Sequence, residues 1–82
     1  MKKERHELSI EIKGRIYKGY RIIEWKDSGE IRQLIHYRMQ QTRHDPRRYK
    51  PGNEKTMESV AKLILQQLIE ESGDINFAKK KN

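Results

Sequence analysis

Apolar and polar residues alternate with a period of two through residues 17–40, and this alternation predicts two antiparallel strands joined by a hairpin. One set of positions collects Tyr17, Ile23, Trp25, Ile31, Ile35, Tyr37 and Met39. The other collects Lys18, Tyr20, Ile22, Glu24, Arg32, Leu34, His36 and Arg38. Between the runs, Asp27-Ser28-Gly29 suits a three-residue loop with glycine in the left-handed conformation. That loop sets a register in which Trp25 faces Ile31, Glu24 faces Arg32, Ile22 faces Leu34 and Tyr20 faces His36. Arg21 conflicts with the pattern, since it falls on the apolar side opposite Ile35. A bulge near Gly19 or a snorkelling side chain would relieve the conflict.

Leu8, Ile10 and Ile12 alternate with Glu7, Ser9, Glu11 and Lys13, which predicts a short first strand. Farther on, Met57, Val60, Ala61, Ile64, Leu65, Leu68 and Ile69 follow helical spacing, which predicts a helix over about 56–72. Thr56 or Asn53 is its candidate N-cap and Ser72-Gly73 its stop. Pro46, Pro51 and Gly52 break the segment between, so residues 42–55 read as a long loop. A loop of this length in so small a domain is usually functional or disordered.

The predicted fold is therefore α+β: a three-stranded antiparallel meander with one C-terminal helix packed on one face. The domain covers residues 7–73, with basic tails at 1–6 and 74–82. One helix cannot cover both sides of a sheet, so the face of Tyr20, Arg32 and His36 stays open.

Composition sharpens this reading. Of 82 residues, 33% are hydrophobic and 38% charged, which lies near the border with disorder; the periodicity argues for a folded middle. The net charge is +7, and residues 30–55 hold seven cations against three anions. Basic charge gathered on one region of a small domain points to a polyanionic partner. There is no cysteine, which excludes a disulfide scaffold and a thiolate metal site. No apolar run approaches a membrane span, and no apolar stretch follows the basic N-terminus as a secretion signal requires, so a cytoplasmic protein is expected.

Two constellations bear on function. The first is the open face, where Lys18, Tyr20, Arg32, His36 and Arg38 mix cations with rings. Arginines there can grip phosphates or guanine edges in a duplex groove, and the rings can stack on a single strand. The second is the 42–55 loop with Arg43, Arg47, Arg48 and Lys50, a cationic stretch suited to phosphate contact. Lys79–Lys81 form a weaker third element. The bland alternative for all of these is a solvated basic surface. Ile22 and Leu34 weaken it, because a purely solvent-facing surface rarely needs both, and they open another reading: a protein interface or homodimer on the same face. Catalysis has little support. His6, His36 and His44 lack zinc-ligand spacing, and Glu24, Arg32 and His36 would lie on a flat sheet rather than in a cleft. The expectation is a non-enzymatic, nucleic-acid-binding accessory or regulatory protein, with duplex DNA favoured and no cofactor or metal.

Overall fold

The computed structural model describes residues 2–74 and contains four strands and one helix. The strands are β1 (Lys2–Ile12), β2 (Arg15–Trp25), β3 (Ile31–Arg38) and β4 (Gln41–His44), and the helix is α1 (Glu54–Ser72). They form one antiparallel meander in the order β1-β2-β3-β4, with α1 packed across one face.

The turn chemistry holds the register as read from the sequence. Gly29 adopts φ 93° and donates to the Lys26 carbonyl at 2.9 Å, while the Lys26 N–H reaches the Glu30 carbonyl at 2.9 Å. Trp25–Ile31, Glu24–Arg32, Ile22–Leu34 and Tyr20–His36 then stand opposite one another. Lys13 and Gly14, both at positive φ, make the β1–β2 turn, the backbone a two-residue hairpin loop requires.

The strand layout departs from the sequence expectation in several places. The sheet has four strands rather than three, because Gln41–His44 pairs with β3. The 42–55 segment is thus a short strand followed by an ordered edge, where Tyr49 exchanges backbone hydrogen bonds with Ile31 at 2.8 and 2.9 Å. β1 starts at Lys2, so residues 2–6, expected as a tail, belong to the sheet. Met39, assigned to the helix-covered face, sits in the β3–β4 turn and is 93% exposed. Lys79–Lys81 and the apolar pair Ile75 and Phe77 lie outside the described residues.

The core lies between α1 and the sheet in two clusters. Leu8 and Ile35 pack with Ala61, Ile64, Leu65, Leu68 and Ile69, flanked by Ile10, Ile12, Tyr17, Tyr37 and Val60. Ile23, Ile31, Tyr49 and Met57 form the other cluster, with Trp25 at its margin. Between them runs a polar row. Arg21 is buried on the helix-facing side and donates from Nη1 to Gln33 Oε1 at 3.0 Å, so neither a bulge nor snorkelling resolves its position. Gln33 in turn donates from Nε2 to Asp45 Oδ2 at 2.8 Å and to the Met57 carbonyl at 3.0 Å.

Gly19 pairs regularly with Leu8 and marks no bulge. Its role is steric: a Cβ there would run into the His36 carbonyl and come within 2.8 Å of Leu65 Cδ1. The absent side chain lets the helix settle on β2. At the helix end, Gly73 takes the left-handed conformation and caps the Glu70 carbonyl.

Candidate nucleic-acid interface

The strand period places Lys3, Arg5 and Glu7 of β1 on the face opposite α1, with Lys18, Tyr20, Ile22 and Glu24 of β2. Arg32, Leu34 and His36 of β3 and Thr42 and His44 of β4 complete it. Three rows cross this face. Arg5, Ile22, Leu34 and His44 stand side by side across all four strands. Lys3, Glu24 and Arg32 form the row on one flank, and Glu7, Tyr20, His36 and Thr42 the row on the other.

On the Tyr20–His36 row stands a three-layer stack. The Tyr20 and His36 rings lie parallel within 6°, with centroids 4.4 Å apart. The Arg5 guanidinium sits 3.8 Å from the Tyr20 centroid, on the neighbouring strand. Glu7 holds it there, accepting from Arg5 Nε at 3.0 Å. Burial, then the Arg5 charge, then His44, hold the His36 imidazole below its ordinary range. It therefore favours the neutral form, whose ring presents one donor and one acceptor nitrogen.

Beside the stack, Lys3, Ile22, Glu24, Arg32, Leu34 and His44 line a hollow of about 100 Å³. Arg32 donates from Nη1 to Glu30 at 3.1 Å, while its buried Nε has no acceptor among the described residues.

The predicted cations do not converge on one surface. Lys18, Tyr20, Arg32 and His36 lie on the open face as expected. Arg38 does not join them: past His36 the β3–β4 ladder shifts by one residue, and the Arg38 guanidinium pairs with Asp74 at 2.7 Å beyond the helix end. Arg43 points to the opposite face. It donates to Gln67 at 3.0 Å and to Glu71 at 2.7 Å, tying β4 to α1. This pairing also accounts for an acidic residue in the last helical turn, where the dipole disfavours one. Arg47 is held by Asp45 through its backbone N–H at 3.0 Å and its guanidinium at 3.3 Å. Arg48, exposed, approaches Glu30 only to 3.8 Å, and Lys50 is exposed. These two flank a groove of about 430 Å³ between the β2–β3 turn and the following loop, lined also by Ser28, Gly29, Glu30, Tyr49 and Pro51.

Four residues of the face were not placed on it by the sequence reading: Lys3, Arg5, Thr42 and His44, the last two read as part of the 42–55 loop. The signal for the first two was present, since they share the parity of Glu7 and Ser9, but residues 2–7 hold no apolar residue to mark that stretch as strand. Among the described residues no group of three or more His, Cys, Asp or Glu side chains is placed to hold a metal ion. No described helix is long and apolar enough to cross a membrane. Compared with known proteins, the chain matches no protein family, no curated protein and no solved structure.

Proposed function

We propose that this is a small basic nucleic-acid-binding protein, non-enzymatic, that acts as an accessory or regulatory factor through its open sheet face. The observation that carries the reading is the Arg5–Tyr20–His36 stack set among Lys3, Lys18 and Arg32 on a face that α1 leaves uncovered. Cations and polar-edged rings on one flat surface match the two needs of such a binder: charge for the phosphates, and shaped polar groups for sugars and bases. Arg48 and Lys50 extend the basic surface past the sheet end, where phosphates would leave the face. Arg38 and Arg43, drawn to acidic groups at the end of α1, and Arg47, held by the buried Asp45, are not assigned to it.

A titration of the full chain against DNA at several salt concentrations tests the reading. Affinity should fall linearly on a log–log plot, with a slope near −0.9 per phosphate neutralised on a duplex. Absence of binding at low salt would remove the proposal. A second reading rests on the Ile22–Leu34 pair, half-buried at the centre of the face. Two copies joined face to face would cover these side chains, giving a homodimer or a docking surface for another protein.

A further inference from the structure

The spacing of the ring stack says which form of nucleic acid the face can take. Tyr20 and His36 are directly opposed across β2 and β3, and neighbouring strands lie about 4.8 Å apart. Their centroids are separated by 4.4 Å with parallel planes. The stacking direction therefore runs along the sheet, from strand to strand, and both rings stand upright with their edges toward solvent. The Arg5 guanidinium covers the Tyr20 face that His36 does not. Both faces of Tyr20 and one face of His36 are consumed within the protein. What the ridge presents outward is its rim: a phenol hydroxyl, an imidazole edge and guanidinium N–H groups.

A protein that lays a single strand across a sheet needs flat, uncovered rings for successive bases to stack on. Here the stack leaves only the His36 face on the Thr42 side, and the exposed His44 adds one small ring rather than a run of platforms. A rim of donors and acceptors instead suits base edges and phosphate oxygens, which a duplex offers in its groove. The lateral layout agrees. The β2–β3 ribbon carries the ridge and fits a major groove about 12 Å wide. β1 and β4 lie three strand spacings apart, about 14 Å, which brings Lys3 on one flank and His44 on the other toward the two phosphate walls.

We infer that the open face binds B-form duplex DNA by entering the major groove ridge first, and that it does not bind single strands by base stacking. The inference rests on the nucleic-acid reading above. The test compares the full chain with a DNA duplex, each of its separated strands, and an RNA duplex of the same sequence, all at one salt concentration. Expected is at least tenfold tighter binding to the DNA duplex than to either strand. The RNA duplex should also be weaker, because its deep, narrow major groove does not admit the sheet. Tyr20→Phe keeps the stack and removes one rim hydroxyl, so duplex affinity should fall about three- to tenfold while single-strand affinity stays the same. Tighter binding to the single strands, or a Tyr20→Phe variant unchanged on the duplex, overturns the inference and leaves the nucleic-acid reading standing. Failure of every nucleic acid to bind overturns that reading and this inference together.

Discussion

Gln33 and Asp45, twelve residues apart, are joined by a 2.8 Å hydrogen bond from Gln33 Nε2 to Asp45 Oδ2 inside the fold. The Asp45 carboxylate is fully buried, and it also accepts from the Tyr49 hydroxyl and the Arg47 backbone N–H. Burial works to raise its pKa. The hydrogen bonds from Gln33, Tyr49 and Arg47 outweigh burial and hold it below the usual carboxylate value. The same contact pushes the Tyr49 hydroxyl, already raised by burial, up to about 12. Through this node β3, the edge after β4 and the first turn of α1 are one unit, since Gln33 also bonds the Met57 carbonyl.

Asp45→Ala should destabilise the fold by about 2–5 kcal/mol, because it strands a buried hydroxyl and a buried amide donor. Urea unfolding of the variant measures this. The Tyr49 shift gives an independent check. Its folded pKa lies above the unfolded value near 10, so its contribution is complete below pH 10 and is lost as pH rises toward 12. Tyr49→Phe should flatten that alkaline decline. An unchanged urea midpoint in the Asp45 variant would mean the node does not hold the edge.

Two substitutions probe the seat of the helix. Leu65 is wholly buried, and Leu65→Ala should cost about 2–5 kcal/mol. Gly19→Ala should cost about 1–3 kcal/mol by overpacking, since part of the clash is with backbone, which cannot turn aside. If the glycine marked a bulge instead, alanine would be nearly neutral. Thermal or urea midpoints separate the two outcomes.

On the proposed function, His36 should make both stability and binding depend on pH. Its folded pKa is depressed by burial first, then by Arg5 and His44. Below the unfolded value near 6.5 the unfolded chain binds the additional proton, so stability is full above that pH and declines as pH falls through the folded pKa. A phosphate near the ring favours its charged form, so DNA affinity should rise over the same interval. His36→Gln should flatten both trends. Midpoints and binding constants at pH 5.5 and 7.5 are the measurements, and a parallel fall of both would contradict the placement of His36 at the interface.

Paired variants distinguish binding from self-association. Arg32→Ala with Lys18→Ala should weaken DNA binding and lower the salt slope by up to about two. Arg43→Met, on the opposite face, should leave binding alone. Ile22→Ser with Leu34→Ser should cost DNA affinity less than loss of the cations does, since groove contacts are mainly polar. At a homodimer interface the order reverses, because truncation at an apolar centre is most damaging there. Sedimentation mass and oligonucleotide affinity of each variant decide the matter. A dimer that dissociates in the serine variant, with no DNA affinity in the parent, would favour the second reading.

The residue pattern by itself determined the parts governed by local chemistry. Period-two alternation sorted β2 and β3 into faces, Gly29 locked their register, and the spacing from Met57 to Ile69 specified α1 and its buried side. It did not determine β4. Four residues with no apolar member become a strand only because β3 offers an unpaired edge beside them. Arg21, out of place by pattern alone, is accommodated by Gln33 and Asp45, and that partnership exists only once three distant segments meet. Charge shows the same division. Strand parity assigns Arg32 and Lys18 to the open face, but it cannot say that Arg38 is drawn to Asp74 or Arg43 to Glu71. Nor can it say that Arg5 crosses to the next strand to cover Tyr20. A long side chain goes to whichever partner the assembled backbone brings within reach, so the sequence determines which face a residue occupies and the tertiary structure decides whether its charge is free to bind.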